Sequence, residues 1–224
     1  MRTAPRRFDP SLLRLVLVTD GHGDLGRLEP IVRAALVGGV RCVQLREPRW
    51  TARMLFQACE RLRPMVDTVG GILLVNDRLD VAAVGAAHGA QIGHRSLPPS
   101  AARQLLGEGA VLGFSAHDHG ELDAAADAGC DFALLSPVWA TESKPGLPHL
   151  GEGRAGLLTA SARLPVVWLG GIGPEQAALA AALPPGRRPV GLAVRGAVMH
   201  AADPQRAGEA LLRAFPAAAQ PPAV

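Results

Sequence analysis

Eight short apolar runs, each followed by polar or glycine residues and then by a helix-like segment, constrain this chain more than any other feature. They fall at residues 12–18 (LLRLVLV), 40–45 (VRCVQL), 72–75 (ILLV), 89–92 (GAQI), 111–114 (VLGF), 132–135 (FALL), 165–169 (PVVWL) and 189–194 (PVGLAV). Helical periodicity is clearest over 28–37, 52–66, 100–106, 121–128, 175–183 and 205–214. Strands that alternate with helices specify βαβ units and a parallel sheet. Runs apolar on both faces fit strands covered on both sides. Eight such units in 224 residues predict one α/β domain, a compact (β/α)8 TIM barrel, over residues 12–215. Residues 1–11 are expected to form a flexible N-terminus and 216–224 a disordered tail. A doubly wound open sheet is the competing architecture. Its dinucleotide fingerprint, G-x-G-x-x-G, is matched after the first run by Gly21, Gly23 and Gly26. There it follows Asp20 and contains Asp24, which would crowd a pyrophosphate, so the match carries little weight.

Composition removes several partners. The net charge is only +3 and the arginines are scattered, apart from Arg2, Arg6 and Arg7, so no nucleic-acid surface is expected. The apolar stretches are too short and too broken to span a membrane. The run at 12–18 ends near Asp20 without a small-residue cleavage site, and reads as a first strand rather than a signal peptide. Cys42, Cys59 and Cys130 are odd in number and lack metal-ligand spacing. Buried free thiols in a reducing, cytoplasmic compartment are the expectation. A homo-oligomer is left open.

In a TIM barrel, chemistry sits where the strands end. The second run is followed by Gln44, Arg46 and Glu47, the third by Asn76 and Asp77, the fourth by His94, Arg95 and Ser96, and the fifth by Ser115 and His117. The sixth leads into SPVWATESKPG, with Thr141, Ser143 and Lys144. The seventh leads to Gly170, Gly171 and Gly173, and the eighth to Val194, Arg195 and Gly196. The only lysine (Lys144) and the only asparagine (Asn76) both fall on this face. The glycine turn at 170–173 opens a helix, and with the loop at 194–196 forms the expected phosphate site. Thr141, Ser143 and Lys144 make an anion clamp. A Schiff base on Lys144 would need a desolvated pocket, which Pro145 and Gly146 argue against. His117 is the candidate acid/base. His117-x-His119 resembles half a metal site but has no further ligand at telling spacing, so no metal is expected. His119 reads as an exposed residue opening the next helix, and His88 lies at a strand start. His22, His149 and His200 read as loop residues, while His94 stands at the right end for a second acid/base or a substrate contact.

QLRE (44–47), NDR (76–78), QIGHRSLP (91–98), GFSAH (113–117), SPVWATESKPG (136–146) and GGI (170–172) occur in one order. In this the chain resembles the thiamine phosphate synthase/TenI family over residues 15–214. The resemblance implies a (β/α)8 barrel acting on thiazole phosphate in thiamine biosynthesis. Two activities share the pattern. The synthase joins a pyrimidine diphosphate to thiazole phosphate with magnesium on the diphosphate. Its motifs imply a lysine where Pro48 stands, and two magnesium-holding aspartates where Asp77 and Ser96 stand. A neutral serine beside Arg95 is a poor magnesium ligand. The TenI-like thiazole tautomerase moves a proton on a thiazole carboxylate phosphate and needs no metal or cofactor. The loop at 144–151 resembles the TenI version, and His117 matches the proton-transfer histidine, which many synthases share. The leading expectation is therefore a tautomerase with no cofactor, with Gln44, Arg46 and Asn76 orienting ring and carboxylate. The alternative is the synthase, with Asp77 as magnesium ligand. A non-catalytic regulator that binds thiazole or thiamine phosphates is the third. Arg195 replaces the family's small serine, and could strengthen or block phosphate binding.

Overall fold

In the computed structural model, which describes residues 8–141, 146 and 148–217, the apolar runs become strands that close on themselves. β1 (Leu15–Val18), β2 (Cys42–Leu45), β3 (Ile72–Asn76), β4 (Gly89–Ile92), β5 (Val111–Ala116), β6 (Phe132–Leu135), β7 (Val166–Leu169) and β8 (Gly191–Val194) follow one another around a closed barrel. All pairings are parallel, and the ring closes with Leu17 of β1 beside Val194 of β8. The open-sheet alternative is thereby excluded.

Helices cover the outside: α1 (Leu25–Val37), α2 (Ala52–Asp67), α3 (Leu79–Ala83), α4 (Pro99–Leu106), α5 (His119–Asp127), α6 (Gly151–Ser161), α7 (Pro174–Ala181), α8 (Gly196–Met199) and α9 (Pro204–Ala214). Side chains start several of them by accepting orphan N–H groups of the first turn. Asp24 accepts from Gly26, Asp118 from Glu121 and Asp203 from Arg206, at 2.8, 3.0 and 3.0 Å. Proline opens α4, α7 and α9, where its missing N–H costs nothing.

Two apolar layers result. The larger lies between barrel and helices. The smaller fills the barrel itself, with Val16, Ile72, Phe132 and Val167 among its members. Gly113 is required there: a Cβ would sit 2.4 Å from the Phe132 ring and 2.1 Å from Gln91 Oε1.

The run at 12–18 is only half strand. Asp9 accepts from the Ser11 N–H and caps a 3-10 turn over Pro10–Leu13. Phe8 stacks on Phe132 with ring centroids 6.1 Å apart, and Leu13 is buried. Residues 8–11, expected to be flexible, thus pack onto the lower end of the barrel, where their apolar groups cover its floor. At the other end of the chain, the Pro216 carbonyl accepts from Arg188. Residues 1–7 and 218–224 lie outside the described residues. Among the described residues, no helix is long and apolar enough to cross a membrane.

Candidate functional site

Alternate residues of each strand face the barrel interior. Above the apolar layer those positions turn polar, and a cavity of about 680 Å³ opens over the strand ends. Gln44, Arg46, Asn76, Ser115, His117, Thr141, Gly170, Gly171, Val194, Arg195 and Gly196 all line it. Ser143 and Lys144 lie outside the described residues.

Hydrogen bonds organise the floor. Gln44 Nε2 donates to Asn76 Oδ1 at 2.8 Å, and Asn76 Nδ2 donates to Asp77 Oδ2 at 2.8 Å. The Ser96 hydroxyl donates to the other oxygen of Asp77, while Ser96 Oγ accepts from the Gly93 N–H at 3.0 Å. Asp77 holds this position at φ +60°, a left-handed conformation that aspartate tolerates better than most residues. Buried Gln91 donates its Nε2 to Ser115 Oγ at 3.1 Å, beside the cavity that Ser115 lines.

The turn after β7 forms one wall. Gly170 and Gly171 have φ of +111° and +66°, and a Cβ on Gly171 would lie 2.2 Å from the Ala140 carbonyl oxygen. Only glycine fits. Gly173 donates to Gln176 Oε1 at 3.1 Å and opens α7. Val194, Arg195 and Gly196 complete the wall from β8 and the start of α8. A helix N-terminus, glycine backbone and a guanidinium on one wall suit an anion.

The glycine-rich turn after β1 is built otherwise. The N–H groups of Gly21 and Gly23 donate to the two carboxylate oxygens of buried Glu47, at 3.3 and 2.9 Å. A carboxylate of the protein occupies the place a phosphate would need. Beside it, the Asp20 side chain is 1% exposed and meets Arg27 at 3.0 and 2.7 Å. His22 and His200 approach it at 3.1 and 3.3 Å. Burial alone would raise the Asp20 carboxyl; hydrogen bonds from Arg27 and His22 outweigh it and hold the group well below the usual carboxylate range.

His117 closes the β5 side. Its Nδ1 lies 3.3 Å from Glu121 Oε2, and its backbone N–H donates to the same oxygen at 2.7 Å. His94, at the end of β4, brings Nε2 to 3.2 Å from Glu121 Oε1. The two imidazoles lie 5.4 Å apart, and His94 packs edge-on against Phe114. The sequence marked His94 by its position. It did not single out Glu121 as a partner, and it set His200 aside as a loop residue, although His200 also lines the cavity. The signal for His200 was its place just past the last strand end. His119 opens α5 and pairs with Asp123 at 3.0 Å. His88 is half-buried at the far end of the barrel, accepts from the Leu73 N–H and meets Asp67 at 2.9 Å. The three cysteines are buried free thiols, and burial pushes Cys59 up to about 12 and Cys130 up to about 11.

The family model for thiamine monophosphate synthase matches residues 15–184. The chain belongs to the thiamine monophosphate synthase family. It is 40% identical over 204 residues to a Geobacter sulfurreducens protein named provisionally as a thiamine-phosphate synthase, spanning 90% of this chain and 94% of that one. It is 39% identical over 209 residues to the thiamine-phosphate synthase of Thermobifida fusca, spanning 92% and 94%. The solved thiamine phosphate pyrophosphorylase from Pyrococcus furiosus superposes with a TM-score of 0.79 at 27% identity, over 92% of this chain and 96% of that one.

The synthase branch of this family implies magnesium. Mg²⁺ needs near-octahedral oxygen ligands, with carboxylates supplying charge. Among the described residues lining the cavity, Asp77 is the only carboxylate, and Arg46, Arg95 and Arg195 line it too. Both Asp77 oxygens already accept hydrogen bonds, one of them from the serine that stands in place of a second aspartate. This donor set does not fit magnesium. Pro48, in the place of the family's lysine, brings no charge and lies against the Gly21 turn.

Proposed function

We propose that the protein condenses a pyrimidine diphosphate with thiazole phosphate to give thiamine phosphate. The extent of likeness carries this reading: about two fifths of the residues are shared with proteins named as thiamine-phosphate synthases, along nearly the whole chain. This reverses the order in which the motifs ranked the two activities. That ranking leaned on positions 48 and 96, whereas the likeness is spread over some two hundred residues.

In this reading the C–O bond to the diphosphate breaks, the electron pair leaves with the diphosphate, and the thiazole nitrogen forms the new C–N bond. The glycine turn at Gly170 and Gly171, the start of α7 and the loop through Val194, Arg195 and Gly196 hold the thiazole phosphate. Thr141, with Ser143 and Lys144 on sequence grounds alone, closes over it. Arg46 and Arg95 meet the diphosphate charge, since guanidinium forks pair well with phosphate oxygens. Gln44, Asn76 and Ser115 orient the rings, and His117 faces the reacting groups. No cofactor enters, because the groups around Asp77 support charge compensation by arginine rather than by a cation. Three buried thiols support a reducing, cytoplasmic setting.

One observation favours a second reading, proton transfer on a thiazole carboxylate phosphate. The Ser96 hydroxyl sits on Asp77, and a donor set there that does not fit magnesium suits an isomerase that requires none. A side-by-side assay with both substrate sets, with and without magnesium, tests the proposal. Thiamine phosphate formation is the expected result. Turnover of the thiazole carboxylate alone would establish the isomerase, and tight binding without turnover of either set would establish a regulator.

A further inference from the structure

Glu121 is the first acidic residue of α5, and its carboxylate is fixed from three sides. Oε2 accepts from the His117 backbone N–H at 2.7 Å and faces His117 Nδ1 at 3.3 Å. Oε1 faces His94 Nε2 at 3.2 Å. The Glu121 N–H is itself held by Asp118 Oδ1 at 3.0 Å. A carboxylate offers only acceptors, so each imidazole must present a protonated nitrogen to it.

We infer that Glu121 is a positioning residue that sets the tautomers of two of the cavity-lining histidines, Nδ1–H in His117 and Nε2–H in His94. His117 then turns Nε2, an acceptor in the neutral ring, away from Glu121, and His94 does the same with Nδ1. A ring held in one tautomer and one orientation can take or give a proton at a defined atom. The role rests on the reading that this cavity is where the reaction occurs. The same three residues have ligand atoms within 4.8 Å of one another, which is also a zinc-like spacing. The geometry favours the hydrogen-bonded role, because Oε2 is already engaged by a backbone N–H and the neighbouring Arg95 opposes a dication.

Imidazole nitrogen NMR on histidine-labelled protein tests this without any turnover, with His94→Gln and His117→Gln assigning the signals. The native protein should show the two tautomers above. Glu121→Gln keeps an oxygen for the His117 N–H, but its amide NH2 now faces His94. His94 should therefore reverse to Nδ1–H while His117 keeps its form. Glu121→Ala should release both rings and lower kcat by roughly 10- to 100-fold with KM little changed. Tautomers indifferent to both substitutions would overturn the inference. So would stoichiometric Zn²⁺ binding that is lost in Glu121→Ala, which would mark a metal centre instead. If neither substrate set turns over, the functional reading fails while the NMR outcome still decides the tautomer assignment.

Discussion

Two βα turns of this barrel are rich in glycine, and only one of them faces the cavity. After β1, the N–H groups of Gly21 and Gly23 are filled by Glu47, and Asp20 is locked by Arg27. After β7, Gly170 and Gly171 line the cavity with Arg195 close by in the same wall. Glycine spacing alone therefore does not make an anion site. What differs is the sign of the nearest side-chain charge. A carboxylate from the next strand turns the first turn into scaffold, while a guanidinium from the next strand stands beside the other, on a wall that suits an anion.

The comparison can be broken most severely at Gly171. Gly171→Ala places a Cβ 2.2 Å from a backbone carbonyl at φ +66°. The cost should be about 3 kcal/mol by urea unfolding, with binding of inorganic phosphate lost in calorimetric titration. Gly21→Ala, at φ +80° but 3.4 Å from the nearest atom, Pro48 Cδ, should cost about 1 kcal/mol and leave phosphate binding intact. Equal effects on phosphate would dissolve the distinction. Between the two in cost, Glu47→Gln leaves one of the two glycine N–H groups facing an amide donor, and should cost about 2 kcal/mol. Phosphate affinity should stay within about twofold if the first turn is scaffold only. The smallest effect is one of pH. Because the Asp20 carboxyl is held below its ordinary value, its contribution is complete above about pH 4 and is lost as pH falls further. Denaturant midpoints measured down to about pH 2.5 should drop less steeply in Asp20→Asn than in the native protein, although the variant starts lower at neutral pH.

The barrel was legible because its strands are continuous apolar runs, buried on both faces. Helices α3, α6 and the four-residue α8 escaped notice. The first has only five residues, and the second carries Gly151, Gly153 and Gly156, which blur its apolar pattern. Gly156 has a packing reason: a Cβ there would press on Arg187 at 3.3 Å. Each described cavity residue expected from the sequence was found there, since position after a strand is a one-dimensional property. What escaped were pairings between elements. Glu47 reaches the Gly21 turn across 26 residues, and His94 shares Glu121 with His117 only because β4 and β5 are neighbours. The G-x-G-x-x-G motif was visible, but the carboxylate that fills it was not.

The closure of β1 on β8 has a consequence during synthesis. Leu15 pairs with Leu192, so the edge of the first strand stays open until almost the whole chain has emerged. At roughly 5–20 residues per second, that wait is on the order of ten to thirty-five seconds. Through it, the nascent chain carries two unpaired sheet edges and half a cavity. Arg27, reaching across to the Met199 carbonyl, is in place only when the last helices arrive. The seam between first and last strands is thus where a ribosome-bound intermediate is most open to wrong partners.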